Sequence, residues 1–518
     1  MSSITIPAAP SVARESWLRR WLVPSVPELL FFAIALWLIA FTATGDMTGM
    51  GLLRDSQTGY HIRTGEYVMA HHAAPTRDFL SFTLPEEPFF AWEWLAGVGS
   101  AVLYHWGGLS AVAVAAALVL ALTLLLTMRH MAARGANVIA CVFLIHLAIG
   151  ASSIHYLARP HVFTLLFMAG ALWLLDQDRQ RPTVWVWALI PLMAVWANLH
   201  GGFFGLLAST GILTAGSLAE ALTAPERRRR ALRRALRWGF LTGACFAASL
   251  LNPYGITEHI HLIQFMRQTW YLRLTEEYYP PNFMSAAGAY YGVVLVLGTA
   301  VAARLLWRKQ VAFGLLILAW AYASSRSVRH VPIYAIVALP WIAALSADWW
   351  KRWTQNKPAR SLAGTLAKMA GDYQPSLRRN GLFVPLAGVL LLAGSAAVKL
   401  TPDFPEAVYP VALINRHAEE IRQARAFAPD GWGHYLTYRF PEPYRVFIDG
   451  RTDFFGERFS REYLNTMNGI SGWDDTLRRH RVNMALIPPD IKLAERLAQD
   501  PAWQLVEHTS TAVLFRRK

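Results

Sequence analysis

The chain has 518 residues, 54% of them hydrophobic, with 21 Trp. That is more apolar surface than one soluble core of this length can bury, which excludes an ordinary soluble domain and points to a polytopic membrane protein. The net charge of +15 falls in short Lys/Arg blocks between apolar stretches, the pattern of cytoplasmic loops and not of a nucleic-acid-binding face, so no nucleic-acid partner is expected.

Residues 1–25 carry Arg14, Arg19 and Arg20 ahead of a long apolar run without a small-residue cleavage site, and read as a cytoplasmic N-terminus before an uncleaved first span. Apolar stretches then predict eleven transmembrane helices, at about 26–44, 109–128, 137–156, 161–176, 183–199, 203–222, 237–252, 288–306, 311–325, 330–347 and 382–400. The basic blocks, of which Arg227-Arg228-Arg229-Arg230 is the strongest, all fall on one side of that count, which is read as the cytoplasm. The other side receives an outer loop at 45–108, with an interfacial juxtamembrane helix over 93–106, and a second outer loop at 253–287. Cys141 and Cys245 lie inside apolar stretches with no CxxC or Cys/His spacing nearby, so the sequence indicates neither a zinc site nor a disulfide.

After the transmembrane region of 26–400, residues 401–518 mix polar and apolar segments as a globular domain does. Strands are expected at 444–451, 482–487 and 511–515, and helices at about 411–427, 456–468, 473–480 and 491–499, giving a small extracytoplasmic α/β domain.

Ionisable residues at a membrane edge are costly, which makes them the candidates for function. Asp55, in the polar segment 54–65 after the first span, reads as a helix N-cap or as a general base, with His61 six residues on. Asp78 reads as a cap. Glu93, flanked by Trp92 and Trp94, is the better second acid, because partial burial raises a carboxyl pKa towards a useful range. Arg159, Arg326 and Arg329 stand on the outer face against the cytoplasmic bias of the other arginines, the last two beside His330. A planar guanidinium gives one anion two charge-assisted hydrogen bonds, so these three suit a phosphate; snorkelling to head groups is the alternative. Asn198-Leu199-His200-Gly201-Gly202 ends the fifth span on the same face. Glu276-Glu277-Tyr278-Tyr279 combines carboxylates and rings, as a sugar site does and as an interfacial aromatic belt also does. No P-loop, GxSxG, HExxH or strand-to-helix GxGxxG is present, so an enzyme built this way draws its energy from an activated substrate already in the membrane.

The order of these features resembles the GT-C superfamily of integral-membrane glycosyltransferases, and looks most like a bacterial branch of it. The motifs that carry the resemblance are Asp55, His61 and Gly65, then Asp78, Trp92-Glu93-Trp94-Leu95, Ala158-Arg159-Pro160 and Asn198-Leu199-His200-Gly201-Gly202. They continue through Asn252-Pro253-Tyr254-Gly255, Arg329-His330 and Phe447-Ile448-Asp449-Gly450-Arg451-Thr452-Asp453. The resemblance implies a multi-pass protein of the bacterial inner membrane that transfers a sugar from a polyprenyl-phosphate-linked donor to a glycan, lipid or protein acceptor, with inversion. It implies an outer-loop Asp as general base, matched by Asp55 with Asp46 as the other choice, and leaves open whether a divalent metal takes part. On that reading Arg159, Arg326 and Arg329 hold the lipid phosphate, and His61 or Glu93 orients the base or a sugar hydroxyl. His200, His330 and Glu277 then belong to the substrate site, and Asp449 and Arg451 cover the acceptor side or form a structural turn. A glycan ligase or polymerase using polyprenyl-diphosphate donors, a lipid-linked glycan transporter and a non-catalytic membrane scaffold are the alternative readings.

Overall fold

The computed structural model describes residues 23–43, 51–268, 270, 275–379, 381, 383–398, 400–401 and 403–518. Asp46 lies outside them. Every apolar stretch read from the sequence coincides with a helix. In chain order these are α1 (Val26–Ala43), then α2 (Gln57–His71) of the first outer loop, α3 (Trp94–Ala133), α4 (Val138–Ser152), α5 (His161–Gln180), α6 (Leu189–Leu199), α7 (Phe204–Thr223) and α8 (Arg228–Ser249). The short helix α9 (Ile256–Met266) follows, then α10 (Ala286–Trp307), α11 (Val311–Arg326), α12 (Val331–Thr354), the amphipathic α13 (Leu362–Arg378) and α14 (Phe383–Ala397). Among the described residues, six helical segments are long and apolar enough to cross a membrane and three further apolar helices are shorter. α5 and α8 carry charged residues at their ends, including Asp176, Asp178 and Arg228 to Arg230.

Small residues let the bundle close. Ala111, Ala113, Ala117 and Ala121 of α3 are buried at helix contacts, where short side chains allow backbones to approach. α3 is broken at Gly107 and Gly108, which separates its juxtamembrane start from the spanning part and agrees with the break expected after residue 106. Before that break α2 packs against α3 through two glycines. A Cβ on Gly65 would lie 2.0 Å from the carbonyl oxygen of Gly97, so only glycine permits the approach that brings His61 beside Glu93.

The C-terminal residues form a four-stranded mixed sheet in the order β1-β2-β4-β3, from β1 (Ala426–Phe427), β2 (Met484–Ile487), β3 (Trp503–His508) and β4 (Val513–Arg517). β1 runs parallel to β2, and the other two pairs are antiparallel. The strand expected at 444–451 does not form: the segment is irregular, does not join this sheet, and makes one isolated bridge, between Val446 and Ser81. Val446 accepts from Phe82 N at 3.0 Å and donates to Leu80 O at 2.8 Å, so its partner is the first outer loop. The expected helix at 411–427 divides into Val411–Arg416, Ala418–Gln423 and β1. A helix at Asp430–Arg439 and strand β3 complete the unit without having been expected. β3 shows no alternation of buried and exposed residues because it is an edge strand with a register shift between Leu505 and Glu507.

Candidate active site

The 57–93 segment, the 253–287 loop, the C-terminal unit and one end of the helix bundle line an open cavity of about 280 Å³. Its bundle wall is made by the start of α5, the α6–α7 junction and the α11–α12 junction, so these helix ends all lie on one side of the bundle.

Arg159 precedes α5 and faces the cavity. Its Nη1 donates to Asp55 Oδ2 at 2.9 Å and to Glu277 Oε1 at 2.6 Å. Its Nε and Nη2 make no hydrogen bond among the described residues. Arg329 donates from Nη1 to Tyr278 OH at 2.7 Å and to Glu277 Oε2 at 3.3 Å, and stands over the Tyr278 ring. Burial works against the charge on both sides of this cluster, but Asp55 and Glu277 hold Arg159 cationic, and Arg159 and Arg329 hold Glu277 well below the usual carboxylate range. Asp55 is a third exposed, and its other oxygen accepts from Gln57 N at 2.8 Å, which starts α2. It does not line the cavity but adjoins it through Arg159.

Deeper in the cavity Glu93 lies between two imidazoles, 3.3 Å from His61 Nε2 and 3.5 Å from His200 Nε2. Burial pushes Glu93 up to about 7 against the pull of Arg159 and Arg329, and drives both histidines well below their ordinary value, so both rings are neutral. The tautomer of His200 follows from its neighbours. Its Nδ1 accepts from Gly202 N at 2.9 Å and from Thr164 Oγ1 at 2.8 Å, and Thr164 Oγ1 in turn accepts from Trp196 Nε1 at 2.9 Å. The proton of the neutral ring is therefore on Nε2, facing Glu93. A side chain on Gly202 would meet Thr164 Oγ1 at 2.4 Å, which explains the glycine after His200-Gly201. Asn198 of the same motif accepts from Trp94 Nε1 at 2.7 Å and donates to Leu251 O at 2.8 Å, fixing the start of α3 against the ends of α6 and α8.

Arg451 lines the cavity with little exposure and is held by two carboxylates. Nη1 donates to Asp78 Oδ1 at 2.7 Å, and Nε and Nη2 donate to Asp449 at 2.8 Å. Asp78 also accepts from Ser81 N and Oγ. This buried network joins the C-terminal unit to the first outer loop.

The cavity wall thus brings together His61, Glu93, Arg159, His200, Glu277, Arg329, His330 and Arg451. Asp449 is buried behind Arg451, and Arg326 is exposed at the end of α11; neither lines the cavity. Thr164, Trp196 and the buried Glu258 were not singled out from the sequence. One Thr or Trp in an apolar helix carries no signal of its partner, and an acid in an amphipathic helix reads as exposed. Asp55 and Glu277 spend oxygens on Arg159, and among the described residues no three His, Cys, Asp or Glu converge to hold a metal ion, so the donor set does not fit a divalent metal.

No protein-family model matches the sequence, and no curated protein matches it. Solved structures do. The oligosaccharyltransferase of Archaeoglobus fulgidus tethered with an acceptor peptide aligns with a TM-score of 0.54 at 12% identity, over 95% of this chain and 74% of that one. The archaeal oligosaccharyltransferase AglB from Archaeoglobus fulgidus, in complex with an inhibitory peptide and a dolichol-phosphate, aligns at 0.52 and 14% identity, over 91% and 70%. ArnT from Cupriavidus metallidurans bound to undecaprenyl phosphate aligns at 0.50 and 18% identity, over 94% and 97%. At these identities the likeness is one of fold, which this chain shares with the archaeal oligosaccharyltransferase and with ArnT.

Proposed function

We propose that the protein is a glycosyltransferase of the bacterial inner membrane, with its N-terminus cytoplasmic and its cavity and C-terminal unit outside, which moves a sugar from a polyprenyl-phosphate donor to a glycan, lipid or protein acceptor. The observation that carries this reading is the pair Arg159 and Arg329 at the cavity wall, with Nε and Nη2 of Arg159 unspent. Two guanidinium groups at a membrane edge suit one phosphate. The polyprenyl phosphates bound in AglB and ArnT support the same donor class for this chain.

Chemically, the acceptor oxygen forms a bond to the anomeric carbon as the bond from that carbon to the phosphate oxygen breaks. The leaving polyprenyl phosphate gains negative charge, which Arg159 and Arg329 stabilise in the transition state. Asp55, partly exposed beside Arg159, takes the acceptor proton; the phosphate competes with it for the guanidinium and so releases the carboxylate for that task.

Transfer from labelled polyprenyl-phosphate sugars by the purified protein tests this reading. Asp55→Asn is expected to lower the rate by about 10²- to 10⁴-fold, the usual worth of a general base, while donor binding persists. An unchanged rate would remove Asp55 from the mechanism.

A further inference from the structure

A dense run of exposed positive charge stands at the end of the bundle away from the cavity. Just past the C-terminal end of α8, Leu251 O accepts at 2.8 Å from Asn198, of the same motif as the cavity-lining His200. α8 has 22 residues, so at about 1.5 Å per residue its first turn lies about 33 Å from there, close to the thickness of a bilayer's hydrocarbon core. Arg228, Arg229, Arg230 and Arg233 are exposed in that part of the helix, and among the described residues none of them pairs with a carboxylate. Arg234 and Arg237 turn inward onto Glu220 and Asp178, and Arg227 lies 3.5 Å from Glu226. Arg227 also donates to Arg308 O at 3.5 Å, which brings the exposed Arg308 and Lys309 of the α10–α11 turn to the same patch.

At 3.6 residues per turn, Arg229, Arg233, Leu236 and Phe240 fall within about 60° of one another around the helix. Leu236 is 74% and Phe240 69% exposed, while Ala231, Ala235 and Trp238 on the opposite side of α8 are buried. The exposed face is therefore cationic over its first turn and apolar over the next two, along about 16 Å, half the hydrocarbon thickness. We infer that this face is a docking site for one anionic phospholipid of the leaflet opposite the cavity, with its phosphate on Arg229 and Arg233 and an acyl chain along Leu236 and Phe240. The inference does not depend on the donor reading. Like charges one turn apart on a helix repel, and here no carboxylate offsets them. A zwitterionic lipid brings its own cation and leaves that repulsion in place, whereas a lipid of net negative charge removes it. A soluble acidic protein or a nucleic acid would engage the arginines alone and leave the apolar half of the face bare. Topology alone asks only that basic residues fall on one side of the membrane. Lys351 and Arg352, exposed in the last turn of α12, meet that requirement too and serve as the control.

The test is lipid titration of the full-length protein in detergent, read by native mass spectrometry, with phosphatidylglycerol, phosphatidylcholine and inorganic phosphate as probes. The wild type is expected to bind phosphatidylglycerol at least about tenfold tighter than phosphatidylcholine, with no saturable site for phosphate. Arg229→Gln combined with Arg233→Gln is expected to bring the two lipids within about twofold of each other, and Lys351→Gln combined with Arg352→Gln to leave the preference intact. Leu236→Ser combined with Phe240→Ser is expected to weaken phosphatidylglycerol about fivefold or more. In the wild type alone, a photoactivatable acyl chain on phosphatidylglycerol is expected to label residues 236–240, which decides the matter where a variant does not fold. The inference is overturned if the wild type shows no preference, or if the control variant loses the preference as fully as the Arg229 and Arg233 variant. It is equally overturned if the apolar substitutions change nothing while phosphate binds by itself, or if the label falls only on other helices. Polyprenyl-phosphate binding at the cavity is untouched by every one of these outcomes.

Discussion

Glu258 shows how much a single buried acid costs this protein. It is 1% exposed, and neither carboxylate oxygen has a partner among the described residues. Burial, and then the nearby Glu93, push it up to about 8. The folded state therefore keeps a proton that the unfolded chain gives up near pH 4.3. Stability contributed by the neutral carboxyl is full below that pH and declines as pH rises to about 8. Glu258→Gln is expected to raise stability in detergent at pH 9 by on the order of 5 kcal/mol, read as a higher melting temperature, and to change it little at pH 4.5. Equal effects at the two pH values would contradict the assignment. Glu93 was legible in the sequence because two tryptophans flank an acid at a membrane edge. Glu258 was not, because Thr257-Glu258-His259 looks like the wet face of an outer helix until the ends of α7 and α8 are packed over it. His259 makes the point: its ring sits among Phe203, Phe204 and Phe246.

Elements that meet across long sequence distances explain most of what pattern reading missed. The 444–451 segment has strand composition, yet it forms no strand and Val446 bonds instead to Leu80 and Phe82, partners that local pattern does not reveal. The helix at Asp430–Arg439 is buried at every position from Trp432 to Tyr438, so it has no polar stripe to announce it. The apolar helices were legible because long apolar runs have few alternatives in a membrane. Arg451 carries the joint between these elements, being paired with Asp78 of the loop and Asp449 of the C-terminal unit. Removing one partner of a buried ionic network leaves the others uncompensated and costs about 3–5 kcal/mol. Arg451→Ala is accordingly expected to destabilise the protein by that amount and to open the C-terminal residues to limited proteolysis. The exposed Arg326→Ala is expected to change stability by no more than about 0.5 kcal/mol. Protease resistance retained in Arg451→Ala would show that the joint lies elsewhere.

Across the whole molecule the cavity draws on the 57–93 segment, the start of α5, the α6–α7 and α11–α12 junctions, the 253–287 loop and the C-terminal unit, so no short stretch of sequence contains it. Its single members were nonetheless readable one at a time, as arginines on the wrong side of the positive-inside rule and acids at a membrane edge. What the sequence did not disclose was how they are paired: Asp55 partly exposed beside Arg159, Glu93 between two imidazoles, Arg451 held by Asp78 and Asp449. The central claim is that Arg159 and Arg329 hold a lipid-borne phosphate. Direct binding of sugar-free undecaprenyl phosphate to the purified protein, wild type beside Arg159→Ala, tests it most simply. A charge-assisted hydrogen bond is worth about 1.5–3 kcal/mol, so the account predicts saturable binding by the wild type and affinity at least about tenfold weaker in the variant. Equal affinity in the two proteins, or no binding by either, would contradict it.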